Sequence, residues 1–277
     1  MVSEKKERLD LLLVELGLAE SREKAQRIIR AGQVRHGTTV LDKPGVRFAV
    51  TTPLEVTALG DRFVSRGGWK LQAALDTWSA LTPCPSVCAD IGASTGGFTH
   101  CLLQHGAQRV YTIDVGTAQL DLRLRNDPRV IVREQTNARN LTGDSLPEPV
   151  DLVVGDVSFI SLKLILEPAK SLLRPGTGQM VFLIKPQFEA GREHVGKGGV
   201  VRDPAVHRMV LDRMVQEIVP PVGLIPAGLI PSPLPGPKGN REYLIWLVFP
   251  ENANAQTAPV DDLRIQRAIE EAFAIEA

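Results

Sequence analysis

The sequence predicts an α/β protein in which a mainly parallel sheet carries helices on its faces, with a small α+β unit in front of it. Two patterns predict the sheet. From Trp69 onward, helix-like and β-like segments alternate, the order produced when each strand of a parallel sheet is followed by a crossover helix. Within that alternation, Asp90-Ile91-Gly92-Ala93-Ser94-Thr95-Gly96-Gly97-Phe98-Thr99 runs from an apolar strand end through a glycine turn into a helix start. The first 60 residues differ, with two short helical patterns followed by short β-like pieces. A chain of 277 residues with 43% hydrophobic content can bury one large core and a small one.

The elements follow in order. Arg8–Leu18 repeats apolar positions at helical spacing and stops at glycine. Ser21 fits the N-cap of the next helix, with Lys24 where a capping-box glutamate would stand. Ala25, Ile28 and Ile29 give that helix an apolar face, and Gly32 ends it. Val34–Val40 and Leu54–Ala58 are β-like, separated by the turn sequence Asp42-Lys43-Pro44-Gly45. Asp61–Gly68 mixes bulky, basic and flexible residues and reads as an interdomain linker.

Then come a helix at Lys70–Trp78, a strand at Val87–Ile91, a helix at Gly97–Gln104, a strand at Arg109–Ile113, a helix at Thr117–Arg125 and a strand at Val130–Arg133. These are followed by a strand at Val150–Val154, a helix at Leu162–Leu173, a strand at Met180–Ile184 and a helix at Pro204–Val219. Gly228–Ile230 and Tyr243–Phe249 close the domain as a hairpin-like antiparallel edge. The expected organisation is 1–60 for the front unit, 61–68 for the linker, 69–250 for the α/β domain, and 251–277 for an acidic tail with a helix over Asp261–Ile275.

No apolar run approaches the roughly 20 residues that span a bilayer, and Met1–Lys6 lacks the apolar stretch of a signal peptide, so a cytosolic protein is expected. Cys84, Cys88 and Cys101 are an odd number without a second CxxC-like pair. Free thiols and no metal site are expected. The net charge is zero, yet residues 1–70 hold 13 Lys/Arg against 9 Asp/Glu, so the positive field belongs to the front.

The front layout, with Ser21-Arg22-Glu23-Lys24-Ala25 and Ile29-Arg30-Ala31-Gly32-Gln33-Val34, resembles the small RNA-binding module named after ribosomal small-subunit protein four. Residues 22–47 carry Arg22, Lys24, Arg27, Arg30, Arg35, Lys43 and Arg47 against only Glu23 and Asp42. Arg27 and Arg30 fall opposite Ile28 and Ile29, where they can face a phosphate backbone. Arg22, Lys24, Arg27, Arg30, Arg35 and the linker's Arg66 are therefore candidate RNA contacts; the alternative is an ordinary solvated charged face.

The glycine turn has the spacing G-x-x-x-G-G, which is not the dinucleotide fingerprint G-x-G-x-x-G, so pyrophosphate is a poor candidate. S-adenosylmethionine, with a sulfonium, an amino-acid end and a ribose but no phosphate, suits it better. Gly92, Ala93, Ser94, Thr95, Gly96, Gly97 and Phe98 form the candidate loop, where glycines let backbone amides approach a ligand. Asp90 could hold the cofactor's amino end. Asp114, 22 residues after Gly92, ends the next strand where an acidic side chain accepts from ribose hydroxyls, or else caps the following helix. Asn137 could read the adenine edge or form a turn.

Lys70, Asp156, Lys185 and Glu242 form the candidate catalytic set. Three of them stand at or beside the ends of β-like runs, where ligands of open α/β sheets sit. A ribose 2′-hydroxyl is a poor acid, so its methylation needs a base while the methyl group is held in line. A lysine serves only when its amine is neutral, and burial or a second ammonium depresses its pKa. Lys185 is the expected base because it follows the apolar strand Met180–Ile184. Each residue alone has a plainer reading, as a snorkelling lysine or an ordinary salt bridge.

Longer strings identify a family. Ser65-Arg66-Gly67-Gly68-Trp69-Lys70, the Asp90–Thr99 loop, Asp156-Val157-Ser158-Phe159-Ile160-Ser161-Leu162, Lys185-Pro186-Gln187-Phe188-Glu189, Gly196–Pro204 and Pro231–Pro237 resemble TlyA proteins, hemolysin-annotated ribosomal RNA 2′-O-methyltransferases related to the FtsJ methyltransferases. The resemblance implies a Rossmann-like methyltransferase sheet, S-adenosylmethionine as cofactor and catalysis by Lys70, Asp156, Lys185 and Glu242. It also implies cytidine in ribosomal subunits or their precursors as target.

A base-amino methyltransferase would carry a D/N-P-P-Y/F turn where this chain has Asp156-Val157-Ser158-Phe159. Pro83-Cys84 is like the pair of base-carbon methyltransferases but precedes the first cofactor strand and reads as a loop. A membrane-lytic protein needs an apolar span or a strongly amphipathic insertion segment, and neither is visible. A catalytically idle RNA-binding assembly factor is the remaining alternative.

Overall fold

The computed structural model describes residues 6–30, 32–37, 39–56, 62–81, 86–252 and 259–274. Its front contains, in chain order, β1 (Lys6–Arg8), α1 (Leu9–Glu15), α2 (Arg22–Arg30), β2 (Val34–His36), β3 (Thr39–Val40), β4 (Arg47–Ala49) and β5 (Glu55–Val56). Leu9 and Leu13 of α1 pack on Ala25, Ile28 and Ile29 of α2 and on Val34, a small core of its own. Ser21 Oγ accepts from Lys24 N at 3.1 Å, the expected cap. The single strand expected over Val34–Val40 is instead a hairpin that turns at Gly37 (φ 57°). β1 and β4 pair with each other; three residues apiece were too short to show a period. α1 stops at Glu15 rather than Leu18 because Gly17 (φ 70°) reverses the chain. Of the strand expected over Leu54–Ala58, positions 57 and 58 lie outside the described residues, as do Ala31, Cys84 and Ile275.

The rest of the chain continues with α3 (Gly67–Thr77), β6 (Val87–Ile91), α4 (Gly97–Gln104), β7 (Arg109–Ile113), α5 (Leu122–Arg125), β8 (Val130–Arg133), β9 (Leu152–Gly155), α6 (Leu166–Ser171), β10 (Gln179–Ile184), α7 (Pro186–Glu189), α8 (Pro204–Arg213), β11 (Ile225–Pro231), β12 (Tyr243–Val248) and α9 (Asp262–Ala274). Seven of these strands form one sheet in the order β11-β12-β10-β9-β6-β7-β8. β12 runs antiparallel to both its neighbours and the remaining pairs are parallel. Both faces are covered, so the strands are apolar on both sides. Along β12, Tyr243, Ile245 and Leu247 join one core, while Leu244, Trp246 and Val248 join the other.

Several helices are shorter than their apolar spacing predicts. The pattern over Thr117–Arg125 gives only α5, since Ala118 is left-handed (φ 54°) and Asp121 caps the helix by accepting from Arg123 N at 2.9 Å. Leu162–Leu173 breaks at Ile165 into a 3-10 turn and α6. The helix from Pro204 widens into a π turn over Met214–Ile218 before Pro220. β11 is longer than Gly228–Ile230 and bulges between Pro226 and Gly228. The expected linker is not a free tether. Phe63 and Val64 are buried with Leu71 and Phe98, and α3 begins at Gly67.

The front unit depends on one buried charge. Asp10 accepts from Arg8, Arg22 and Gln26 at 2.8–3.0 Å, and these bonds, that of Arg8 first, hold its carboxyl well below the usual carboxylate range. Asp10→Ala should therefore cost about 2 kcal/mol of stability in the front unit at neutral pH. Because the folded-state pKa is depressed, that contribution is present above the unfolded value of about 4 and disappears as pH falls through the lower folded value. The difference between the thermal melts of the two proteins should shrink steadily as pH falls from about 4 toward about 2.

Candidate active site

The strand order reverses between β6 and β9, and in open α/β sheets ligands bind at the carboxyl ends of the strands on either side of such a point. β6 delivers Asp90 and the glycine turn there, β9 delivers Asp156, and β10 delivers Lys185. Glu242 arrives from the other direction. β12 is antiparallel to β10 with Tyr243 opposite Ile184, so the residue before β12 and the residue after β10 leave the sheet at one edge. Lys70 comes from the first turns of α3.

These four side chains form a continuous chain of opposite charges. Glu242 Oε2 lies 2.6 Å from Lys70 Nζ, which lies 3.6 Å from Asp156 Oδ2, and Asp156 Oδ1 lies 2.6 Å from Lys185 Nζ. Lys185 Nζ also donates to Ser158 Oγ at 2.7 Å. Burial alone would raise the Asp156 pKa, but Lys70 and Lys185 outweigh it and hold the group at about 2. For Lys70 the direction is the reverse of the sequence expectation. Burial lowers its pKa, yet the charges of Asp156 and Glu242 more than compensate, and it stays an ammonium. Gly236 explains the Pro231–Pro237 string: a Cβ there would collide with the Glu242 carboxylate, so only glycine lets this loop close over it.

The glycine turn is built differently from the expectation. The amides of Gly92, Ser94 and Gly96 donate to Ile113 O, Asp114 Oδ2 and Ala93 O, so they brace the loop rather than await a ligand. Gly92 and Gly96 have φ of 77° and 91°. Gly97 instead provides room: a Cβ would strike Ser65 Oγ, at the start of α3. Phe98 is buried in the core, and Ala93, Ser94 and Thr95 line the cavity. Asp114 accepts from Ser94 N and Gly116 N, both at 2.8 Å, one on each oxygen, and each oxygen keeps a lone pair. Asn137 Oδ1 accepts from Arg139 N at 3.1 Å, its turn-forming role, while the residue also borders the cleft below Asp114.

A cavity of about 290 Å³ joins Lys70, Asp90, Asp156 and Lys185. A cleft of about 540 Å³ beside it shares Gly92, Ser94, Asp156 and Ser158 and extends to Asp114 and Asn137. S-adenosylmethionine fits this donor set on one observation above others. Asp90 is fully buried, its Oδ2 accepts from Thr99 N and Oγ1 at 2.9 and 2.6 Å, and its Oδ1 has no partner. Burial pushes this carboxyl up to about 7. An unpaired buried carboxylate oxygen in a cavity wall is a seat for an ammonium.

The basic residues of the front divide. Arg27 and Arg30 line a cleft of about 690 Å³ between α2 and residues 118–123, and Arg30 also borders the tetrad cavity. Arg66 is mostly buried in the wall of that cavity, 3.3 Å from Asp42. Arg22 donates its Nε to Asp10, Lys24 lies on α2 and Arg35 on β2, away from the tetrad. Sequence reasoning missed Ser158, and missed Phe159 and Phe188 as a pair. Phe159 is 91% exposed with φ 64°, and its ring lies 5.2 Å from that of Phe188. The only signal for it was an aromatic in the turn after a buried strand.

Comparison with known proteins defines the class first. Residues 63–249 match the FtsJ-like methyltransferase family and residues 7–50 match the S4 domain, so the chain is a methyltransferase, with S-adenosylmethionine as cofactor, joined to a small RNA-binding-type module. Among curated relatives, the 16S/23S rRNA (cytidine-2′-O)-methyltransferase TlyA of Mycobacterium tuberculosis is 44% identical over 268 residues, 95% of this chain and 97% of its own. Hemolysin A of Brachyspira hyodysenteriae is 40% identical over 243 residues, 87% of this chain and 100% of its own. The solved structure of a candidate hemolysin from Streptococcus thermophilus is 40% identical, covers 98% of this chain and 97% of that one, and superposes with a TM-score of 0.74. The chain belongs to the TlyA family of FtsJ-like methyltransferases. Among the described residues, no helix is long and apolar enough to cross a membrane.

A cofactor ammonium seated on Asp90 would carry a pH signature. A raised carboxyl pKa means that the group is neutral below about 7, and only its charged form attracts the ammonium. Calorimetry should show the cofactor Kd rising roughly tenfold per pH unit as pH falls below that point. Asp90→Asn should bind weakly at pH 8 and lose this dependence.

Proposed function

We propose that this chain transfers the methyl group of S-adenosylmethionine to the 2′-oxygen of a cytidine ribose in ribosomal RNA, acting in the cytoplasm on ribosomal subunits or their precursors. The observation that carries the reading is the Glu242–Lys70–Asp156–Lys185 charge chain at the mouth of the cofactor cleft. The names of the relatives supply the nucleotide and the RNA.

The residues then divide the work. Asp90 holds the amino end of the cofactor, Asp114 its ribose and Asn137 borders the base, while the bound cofactor supplies an electrophilic methyl group. Lys185 accepts the proton of the ribose hydroxyl. Lys70, held charged by its two carboxylates, fixes Asp156 and does not act as base. The exposed Phe159 ring at the site's rim offers a stacking face for an unpaired nucleobase. Residues 1–60 serve as the RNA-docking module, 69–250 as the catalytic domain and 251–277 as a tail, with 61–68 as the linker, whose Phe63 and Val64 pack into the catalytic domain.

Two experiments test this. Lys185→Ala should lower the rate of methyl transfer by about 10²–10⁴-fold while cofactor and RNA affinity persist, and Lys185→Arg should fail as well, since a guanidinium keeps its proton. Substantial turnover by the arginine variant rules out Lys185 as the base. Replacing Arg27 and Arg30 together by Glu should weaken ribosomal RNA binding, with the difference shrinking as salt rises, and Arg27→Glu alone, which leaves the wall of the tetrad cavity intact, should leave cofactor affinity unchanged. Equal RNA affinity at low salt would return these arginines to a solvated face.

A further inference from the structure

Ser158 lies two residues beyond Asp156 in the turn that leaves β9, and it lines the same cavity as Lys185. Lys185 Nζ has two near polar neighbours that act differently. Asp156 Oδ1 is 2.6 Å away but off the direction of a good hydrogen bond, so it balances charge without fixing how the amine is turned. Ser158 Oγ, at 2.7 Å, accepts a well-directed hydrogen bond. The Phe188 ring, with its centroid 6.0 Å from Nζ, adds a diffuse attraction and no direction. Among the described residues, Ser158 thus supplies the directional contact. The turn that carries it is held in a strained shape, since the next residue, Phe159, is a bulky side chain at φ 64°.

We propose that Ser158 is a positioning residue for methyl transfer, its hydroxyl aiming Lys185 Nζ at the reacting ribose hydroxyl; this rests on the reading of Lys185 as the base. A tetrahedral amine with one N–H held by Ser158, and with Asp156 beside it, is left with its lone pair toward the cavity. In the step itself, that lone pair takes the 2′-hydroxyl proton. The oxygen's freed electron pair forms the bond to the methyl carbon, and the electron pair of the breaking S–C bond stays on sulfur. The resulting ammonium keeps both partners, Ser158 Oγ as acceptor and Asp156 as counter-charge, until it passes its proton to water. An amine free to rotate would present its lone pair to the hydroxyl only part of the time, so Ser158 acts on the rate of the step and not on assembly of the complex.

Ser158→Ala and Ser158→Thr test this in the full-length protein, using single-turnover methyl transfer from labelled S-adenosylmethionine to ribosomal RNA, with cofactor and RNA affinities measured in parallel. Ser158 is exposed to the cavity, so the threonine methyl group has room. Ser158→Ala should slow the step by about 10–100-fold, the size expected for one charge-assisted hydrogen bond, with both affinities within about twofold of the parent. Ser158→Thr should recover most of the loss. The proposal is overturned if Ser158→Ala reacts at the parental rate, if its defect lies only in binding, or if Ser158→Thr is no faster than Ser158→Ala. Lys185→Ala separates the two readings. An inactive Lys185→Ala beside a fully active Ser158→Ala removes the role of Ser158 alone, whereas an active Lys185→Ala removes the base itself.

Discussion

Four charges leave water together in this protein, and they do so as two opposite pairs. Lys70 and Glu242 are almost fully buried, Lys185 nearly so, and Asp156 is the one member with a side chain appreciably open to the cavity. Taking any one of them alone out of water would cost several kcal/mol. The desolvation is offset only when the order Glu–Lys–Asp–Lys is held at close spacing, which requires three strand ends and one helix start to converge. The adjacent apolar strands β9, β10 and β12, the antiparallel course of β12 and the glycine against Glu242 all serve that convergence. Removing Lys70 would leave Glu242 buried and without its ion pair, and removing Asp156 would do the same to Lys185, so this constraint reaches beyond any one residue.

The same constraint gives the two lysines different surroundings. Lys70 has a carboxylate on each side and is driven toward its charged form. Lys185 has one carboxylate and one neutral hydroxyl, and it is the terminal member of the row, in the cavity wall. An alternating row of charges thus has an inner lysine held between two carboxylates and a terminal lysine beside only one. Asp90 is set apart from that row. Its buried carboxylate has hydroxyl and amide donors on one oxygen and nothing on the other, which leaves a deficit of positive charge that a ligand can fill.

Much of the fold was legible because its signals were local. The strands Val87–Ile91, Arg109–Ile113 and Val130–Arg133 and the helix Gly97–Gln104 have the bounds that their apolar runs predict. Where the reading went astray, burial imitated a period. Leu120 and Leu124 are four apart, yet they are buried because they pack against the glycine turn, where a Cβ on Gly96 would strike them, and not because a helix runs through both. Phe63 and Val64 looked like part of a tether because two hydrophobic residues among arginines and glycines carry no periodicity. The charged residues of the site could be recognised by type and by position at strand ends. The sequence held no sign of which amide each glycine serves, or that a serine two places from Asp156 meets Lys185 across 27 residues of chain, because those are facts of tertiary approach.

The cavity around the tetrad is also not the property of the catalytic domain alone. Arg30 and Asp42, from the front unit, form part of its wall beside Ser65, Arg66 and Lys70. Arg66 is the joint: its backbone N–H donates to Arg30 O at 3.2 Å, its guanidinium reaches Asp42, and its side chain packs against the site where a Cβ on Gly32 would stand. It is the N-cap of α3, four residues before Lys70, and its charge acts on both Lys70 and Asp156. Packing Phe63 and Val64 into the catalytic core fixes the distance between the two units at this point. The wall of the tetrad cavity is therefore complete only when the front unit is seated, which ties the module that carries Arg27 and Arg30 to the geometry of the four charges.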